Sequence, residues 1–220
     1  MPAERGFHQW CHQARENEKQ IVFPDGCRDV LLIRPPDQPV RVVLTAFDLG
    51  PRRVELSAGL SILGFRLRPG ASLSAATIDA IAQDPDRIGC LLDEACGTWS
   101  ELDDAIAALT EPGATTRLVA RRLGVSVRTM QRHFLARALP PPDFWRLLAR
   151  ARRAAAMIDL PVSLADIAAD CGFSDQAHLT RDLVRWFGVT PAQLRRNVRV
   201  LALLRQPALG NWTGEQISTR

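Results

Sequence analysis

Apolar positions follow two different patterns along the first half of the chain. Between residues 20 and 68, short apolar and β-branched runs alternate with turns rich in Pro, Asp and Gly. This alternation predicts a small antiparallel sheet or barrel. From Leu73 to Leu109 the apolar residues recur three or four positions apart, which predicts helices that follow the strands.

A motif in the second half occurs twice, as "LVARRLGVSVRTMQRHF" at 118–134 and as "DIAADCGFSDQAHLTRDL" at 166–183. In each copy an Ala (120 or 168) is followed four residues later by Gly124 or Gly172, then by an apolar residue and a Ser. A small Ala lets a second helix cross closely, and Gly adopts the positive φ that ends the first helix. Ser126 and Ser174 are predicted to cap the next helix. The motif therefore predicts two helix-turn-helix units.

The two predicted recognition helices align once an extra residue in the second copy is taken into account. Met130 then corresponds to Leu179, and Phe134 to Leu183. In the first helix, Val127 joins this apolar stripe, and a polar stripe lies opposite. The polar stripe consists of Arg128, Gln131 and Arg132. Arg suits the edge of guanine and Gln that of adenine, so these residues are candidates for reading bases.

A linker helix is predicted between the two units, over 143–159, with prolines before it and Pro161 after it. A helix of this length spans roughly 25 Å. It is long enough to hold two recognition helices about one turn of DNA, roughly 34 Å, apart on one face of the duplex. Its arginines at 150, 152 and 153 face either phosphates or solvent.

Charge separates the two halves of the chain. Residues 1–110 carry 11 Lys and Arg against 16 Asp and Glu, whereas residues 111–220 carry 17 against 8. The second half is therefore the candidate for binding a phosphate-rich partner.

Cysteine and histidine give weaker signals. The five cysteines are an odd number at irregular spacings, which indicates reduced thiols. Cys11, His12 and Cys27 are residue types that bind soft metals, but a second Cys-x-x-Cys or His-x-x-x-His pair is missing. Cys27 beside a turn, and Cys90 and Cys96 on a helix, are more simply interpreted as small packing residues. We expect no metal, no cofactor and no enzyme activity, since no Ser/His/Asp or Cys/His pairing indicates a nucleophile.

Residues 99–197 resemble the DNA-binding domain of the AraC/XylS family of bacterial transcription regulators. The resemblance depends on Ala120-x3-Gly124-Val-Ser with Gln131-Arg132, on "RARRAA" in the linker helix, and on "IAADCGFSDQAHLTRDLVRWFGVTP" at 167–191. It implies a seven-helix domain whose two helix-turn-helix units enter successive major grooves of double-stranded DNA. The chain departs from the family at "RALPPPDF", which lacks Gly-x-Ser/Thr-Pro, and at Leu179 and Leu183, where the family usually has Phe.

Carried over by position, the resemblance implies two sets of DNA contacts. The base-reading candidates are Arg128, Gln131 and Arg132 in the first unit, and Gln176, His178, Thr180 and Arg181 in the second. The backbone candidates are Ser126, Thr129, Arg150, Arg153, Ser174 and Arg185.

The N-terminal half is similar to an uncharacterised β-rich, cupin-like domain found ahead of such DNA-binding domains, through "PDGCRDVLLI" and "GFRLRPG". The expected fold class is thus α+β, with a small antiparallel β-rich domain and trailing helices ahead of an all-α double helix-turn-helix domain. We expect a sensor or dimerisation domain over 1–98, the DNA-binding domain over 99–200, and a short helix and disordered tail over 201–220.

The function expected from these features is that of a sequence-specific, cytoplasmic, DNA-binding transcription regulator. Its expected partner is double-stranded DNA; a small-molecule effector in the N-terminal domain, RNA polymerase and a second copy of the chain are further candidates, and no membrane is expected. The sequence leaves three alternatives open: a thiol or metal sensor, a DNA-repair-type enzyme fused to the same domain, and a protein that compacts DNA without sequence preference. The missing Cys-x-x-Cys disfavours the repair enzyme.

Overall fold

The computed structural model describes residues 6–96 and 99–212, and it begins with two antiparallel sheets. The four-stranded sheet has the order β1–β6–β3–β4, and the two-stranded sheet pairs β2 with β5. The strands are β1 (Phe7–Gln13), β2 (Glu18–Val22), β3 (Asp29–Arg34), β4 (Arg41–Leu44), β5 (Arg52–Leu56) and β6 (Ser61–Leu67). The predicted antiparallel β-rich N-terminal region is confirmed.

Helices and the turns between them follow the strands in the described chain. They are α1 (Ala75–Gln83), α2 (Ile88–Cys96), α3 (Glu101–Thr110), α4 (Thr116–Arg122), α5 (Val127–Ala136), α6 (Pro142–Met157), α7 (Leu164–Asp170), α8 (Gln176–Phe187), α9 (Pro191–Arg196) and α10 (Val198–Leu204). A short 3₁₀ turn at Pro85–Arg87 joins α1 to α2. The α+β class is therefore confirmed. The boundary expected at residue 98 lies outside the described residues.

The four-stranded sheet packs its apolar face against α1 and α2. Val30, Leu32, Phe65 and Leu67 from the strands lie in one core with apolar residues of both helices, such as Leu92. Alternate residues of a strand face opposite sides, so the alternating burial along β3 marks this inner face. The inner face of the four-stranded sheet is thus covered by side chains of α1 and α2.

The linker helix α6 is the centre of the second core. Trp145, Leu148, Ala151, Ala154 and Ala155 are completely buried on it. The helix begins at Pro142, which agrees with the predicted helix over 143–159. Pro suits a first helical position because its φ is already helical and the N–H that it lacks would have no partner there.

The C-terminal stretch contains the short helix that was expected, α10, but the residues that follow it up to 212 differ from the expected disordered tail. Leu201 and Leu204 of α10 are buried in the second core. Residues 205–212 then pass between the first sheet and α6, where the N–H of Leu209 donates to the carbonyl of Asp25 at 2.9 Å. Leu209 itself is 2% exposed. Up to residue 212, this segment is therefore part of the packed structure.

Candidate nucleic-acid interface

The first helix-turn-helix unit consists of α4 and α5. Thr115 caps α4 by accepting from the N–H of Leu118 at 3.1 Å. Gly124 takes φ +69° in the turn, as predicted. Gly suits this position because it lacks the Cβ that makes positive φ unfavourable for other residues. Ser126 then caps α5 by accepting from the N–H of Thr129 at 3.0 Å. The turn chemistry predicted for this unit is confirmed.

One face of α5 is buried and the other faces solvent. Met130 and Phe134 are 2% and 0% exposed, and Val127 is half-buried beside them. Arg128, Gln131 and Arg132 are exposed, as their spacing predicts. Within the described part of the chain, none of these three side chains forms a hydrogen bond or an ion pair. They are therefore free to contact a partner.

The second unit consists of α7 and α8, and its turn differs from the prediction at one residue. Ser163 caps α7, and Gly172 takes φ +72°. The cap of α8, however, is Asp175, which accepts from the N–H of His178 at 2.6 Å; Ser174 was predicted. The extra residue of the second copy causes the change, since it places Asp175 three residues before His178, where the carboxylate of an N-cap residue accepts from the backbone N–H of the third helical residue.

The four base-reading candidates on α8 fall into two groups. Gln176 and Arg181 are exposed and point to solvent like the polar residues of α5. Thr180 is half-buried, and its hydroxyl donates to the carbonyl of Gln176 at 2.9 Å. His178 is half-buried as well, with Nδ1 at 3.1 Å from Ser174 Oγ and Nε2 at 3.3 Å from Arg150 Nη2. Gln176 and Arg181 are therefore the strongest candidates in this unit.

The three arginines of the linker helix are engaged inside the protein. Arg150 pairs with Asp182 at 2.6 Å. Arg153 Nη2 donates to the carbonyl of Thr110 at 2.5 Å, which ties α6 to α3. Arg152 is 6% exposed, and it donates to the carbonyls of Leu209 and Gln206 at 3.1 and 2.9 Å. These contacts argue against the phosphate roles predicted for Arg150 and Arg153, and they exclude solvation of Arg152.

The other backbone candidates lie near the starts or outer faces of the recognition helices. Ser126 and Thr129 share a hydrogen bond of 2.8 Å between their hydroxyls. Ser174 is exposed, and Arg185 is exposed with its guanidinium 5.4 Å from the Trp186 ring centroid. These residues remain predicted phosphate contacts.

An aromatic cluster at the start of α6 joins both recognition helices. Phe144 packs edge-on against Trp186 of α8 with ring centroids 5.6 Å apart. Its neighbour Trp145 lies 6.4 Å from Phe134 of α5. Trp145 also contacts Phe47, from the loop between β4 and β5, at 5.5 Å. One turn of α6 thus fixes both helices and is itself in contact with the N-terminal half.

Sequence reasoning missed a buried ionic cluster where the two halves meet. Arg66 of β6 is 4% exposed and pairs with Asp25 at 2.9 Å, with Asp29 3.7 Å away. Burial lowers the pKa of Arg66, but the two carboxylates outweigh this effect and raise it. Burial raises the pKa of the Asp29 carboxyl. The residues come from distant parts of the chain, so no local pattern indicated the cluster.

The thiols and histidines of the N-terminal half do not assemble into a metal site within the described residues. His12 instead contacts Glu18 at 2.5 Å, which lowers the pKa of that carboxyl. Cys27 and Cys96 are buried, as predicted, whereas Cys90 is exposed and the packing role predicted for it is wrong. Burial and the nearby Asp25 raise the pKa of the Cys27 thiol well above its usual value. Among helices in the described ranges, none has the length and apolar character needed to cross a membrane.

Comparisons with known proteins agree with this geometry. Residues 119–197 match a family model described as "Helix-turn-helix domain". The HTH-type transcriptional regulator VirS of Mycobacterium tuberculosis (strain H37Rv) is 36% identical over 77 residues, which are 35% of this chain and 23% of VirS. This chain therefore spans about a quarter of that relative's length.

Among solved structures, similar chains include an AraC-type regulator from Chromobacterium violaceum and ToxT from Vibrio cholerae O395. The first is 27% identical and covers 49% of this chain and 90% of its own, with a TM-score of 0.38. ToxT is 9% identical and covers 91% of this chain and 99% of its own, with a TM-score of 0.46. Together with the family model and the two capped helix-turn-helix units, the motifs lead to one conclusion: residues 119–197 belong to the AraC-type helix-turn-helix domain family.

Proposed function

We propose that this chain is a sequence-specific DNA-binding transcription regulator whose helices α5 and α8 enter successive major grooves. In this proposal the bound DNA contains two elements, which are short stretches of base pairs. Arg128, Gln131 and Arg132 of α5 contact the bases of one element. Gln176 and Arg181 of α8 contact those of the other. Bidentate contacts from Arg and Gln to base edges supply the sequence preference.

The proposal rests on a difference between two sets of polar side chains: one set has hydrogen-bond or ion-pair partners among the residues that the structure describes, and the other does not. The exposed face of α5 is unpaired within the described residues, whereas the linker arginines Arg150, Arg152 and Arg153 all have partners inside the protein. Arg195 of α9 is engaged too, with the carbonyls of Ile158 and Val162. Buried arginines thus support the architecture, whereas the arginines on the exposed face of α5 are available to a partner.

Control by a small molecule is a second part of the proposal. A cleft of about 300 Å³ lies where the end of β6 meets α3 and the end of α5, and its lining includes Arg68, Cys96, Ser100, Asp103 and Arg137. A small polar molecule bound there would contact both the N-terminal half and the first recognition helix. Because side chains of α1 and α2 cover the inner face of the four-stranded sheet, this cleft is a better candidate for the effector-binding site than that face.

The thiol or metal sensor and the DNA-repair-type enzyme are less favoured. The matched domain is characteristic of DNA-binding regulators, and Cys27 is buried in the ionic cluster. The third alternative, compaction of DNA without sequence preference, is separated from the proposed function by experiment.

The experiment is binding selection from a random duplex library with the full chain, at a stated salt concentration because phosphate contacts make affinity salt-dependent. We expect an enriched motif with two elements about ten base pairs apart, since both helices would lie on one face of the duplex. Binding without enrichment would identify a nonspecific DNA-binding protein.

Arg132→Ala tests the base contacts directly. We expect it to weaken binding to the selected site by about 1–3 kcal/mol and to relax the preference at one base pair, because a lost bidentate contact acts at one position. Arg15→Ala, at an exposed arginine in the loop between β1 and β2, is the matched control and should leave affinity unchanged. An equal loss of affinity for random DNA in the Arg132→Ala variant would remove the base-reading role.

A further inference from the structure

The guanidinium of Arg150 extends from α6 to the second helix-turn-helix unit and contacts it at three places. Nη1 donates to the carbonyl of Gly172 at 3.3 Å, in the turn between α7 and α8. The guanidinium carbon lies 4.1 Å from the ring centroid of Phe173. Nη2 donates to Asp182 Oδ2 at 2.6 Å. One side chain therefore connects the linker helix, the turn and α8.

His178 completes this network from the first turn of α8. Its Nε2 lies 3.3 Å from Arg150 Nη2 and its Nδ1 lies 3.1 Å from Ser174 Oγ. Because the Arg150 guanidinium only donates, Nε2 is the acceptor in that contact, and Nδ1 lies within hydrogen-bond distance of both the hydroxyl and the backbone N–H of Ser174, the latter at 3.4 Å. The ring also packs edge-on against Phe173, with centroids 5.2 Å apart. Both ring nitrogens are thus occupied within the protein.

The ion pair at the centre of the network is shielded from water. The side chains of Arg150 and Asp182 are 15% and 13% exposed. A shielded charge that loses its partner is costly, so each member of such a pair restricts the position of the other. Asp182 lies one helical turn after His178, and Arg150 therefore holds two successive turns of α8.

The first unit lacks an equivalent network in the described residues. The positions that correspond to His178 and Asp182 are Thr129 and His133. Thr129 bonds only within the helix start, to Ser126 Oγ at 2.8 Å, and His133 is exposed. The linker helix thus contacts α5 through apolar and aromatic packing, whereas it contacts α8 through an additional ionic network.

We propose that Arg150 is a positioning residue for α8, which it holds through Asp182 and His178 at the angle needed to enter the second groove. The inference rests on the proposed function. In this arrangement Gln176 and Arg181 contact the bases, and His178 orients the helix that carries them. Base discrimination in the element bound by α8 then depends on Arg150, and discrimination in the element bound by α5 does not.

Arg150→Met in the full chain tests the proposal against the selected operator. Duplexes with single base-pair changes in each element are compared, and Arg132→Ala and Arg181→Ala identify the elements bound by α5 and α8. We expect discrimination in the α8 element to fall by about tenfold, the worth of a good bidentate contact, with the α5 element unchanged. Equal losses in both elements, or no loss in either, would contradict the positioning role.

A double variant separates positioning from the cost of an unpaired charge. Arg150→Met with Asp182→Leu removes both charges and keeps similar volume, a change that leaves many proteins folded and stable. We expect it to fold and to show the same loss in the α8 element. Recovery of wild-type discrimination would mean that the network does not set the helix, and the proposal would fail.

His178→Ala distinguishes an orienting histidine from a base-reading one. As part of the network, its loss should lower discrimination across the whole α8 element. A loss confined to a single base pair would instead assign His178 to base contact.

Hydrogen exchange in the free protein provides a test that does not depend on DNA. Arg150→Met should speed amide exchange over residues 176–182 and leave residues 127–133 unchanged. If the wild-type chain selects no motif, the proposed function fails while this measurement still decides the inference. Unchanged exchange over 176–182 would overturn the positioning role.

Discussion

Ala138 follows the end of α5 with φ +51°, whereas Gly188 follows α8 with φ +68°. This left-handed conformation is favourable for Gly and costs an L residue about 1–2 kcal/mol. The structure adopts the helix-ending conformation with Ala in place of Gly.

Ala138→Gly should consequently stabilise the protein. We expect the free energy of unfolding to rise by about 0.5–1 kcal/mol, since the relief of strain exceeds the added flexibility of the unfolded chain. Urea denaturation measures the change. Ala107→Gly, at an exposed position inside α3, is the matched control and should lower stability by about 1 kcal/mol.

The reactivity of each cysteine thiol is expected to depend on how deeply that residue is buried. Cys11 and Cys90 are exposed, whereas Cys27, Cys96 and Cys171 are buried. Burial raises the pKa of Cys96 to about 11 and that of Cys27 well above its usual value. Because the thiolate is the reactive form, we expect two thiols to react quickly with a disulfide reagent at pH about 8 and three to react only after unfolding. Fast reaction of Cys27 in the native protein would instead favour a thiol sensor.

At the scale of elements, the two helix-turn-helix units share a backbone design but differ in how their second helices begin. Ser126 caps α5, and Asp175 caps α8. The hydrogen bond from the N–H of His178 lowers the pKa of the Asp175 carboxyl. The second recognition helix therefore begins at a charged cap, with a dipole contribution that a neutral serine does not supply.

Asp175→Ala should destabilise the protein more than Ser174→Ala, which removes no cap. Since the folded-state pKa of Asp175 lies below its unfolded value, the stabilisation is complete above the ordinary aspartate pKa of 3.8 and is lost as pH falls through the folded-state value. Urea midpoints at neutral and at acidic pH measure this effect. The difference between wild type and Asp175→Ala should shrink in acid, and a constant difference would contradict the cap.

At the scale of the whole molecule, residues 206–212 join the two halves. Arg152 of α6 binds the carbonyls of Gln206 and Leu209, and Arg66 of β6 binds that of Pro207 at 3.4 Å. The Leu209 side chain lies under the turn at Gly26, where an added Cβ would be only 2.8 Å from Leu209 Cβ. This segment thus connects the β-rich half to the helix that carries both recognition helices.

Arg152→Met should weaken this connection. The carbonyl of Leu209 would lose its side-chain donor and that of Gln206 one of two, and we expect a loss of about 2–4 kcal/mol in the free energy of unfolding. Arg146→Met on the same helix, which breaks the more exposed pair with Asp143, should cost less than about 1 kcal/mol. Equal effects of the two substitutions in urea denaturation would show that the C-terminal segment does not support the junction.

The sequence by itself determined the local elements. The repeated Ala-x3-Gly-x-Ser spacing, the apolar stripe of α5 and the prolines around α6 depend on interactions between residues a few positions apart. Their predictions are observed, except that Asp175 caps α8 in place of Ser174. The same is true of the alternation that predicts the strands.

Only the tertiary structure decided which polar residues are free. Arg132 and Arg152 are the same residue type on helices of similar pattern. Arg132 is exposed, whereas Arg152 is only 6% exposed because it packs against the segment around Leu209. The difference arises because burial depends on residues distant in sequence: Asp182 for Arg150, Thr110 for Arg153 and Leu209 for Arg152. The periodicity of a helix fixes which side chains share a face, and the packing of the whole chain fixes what that face meets.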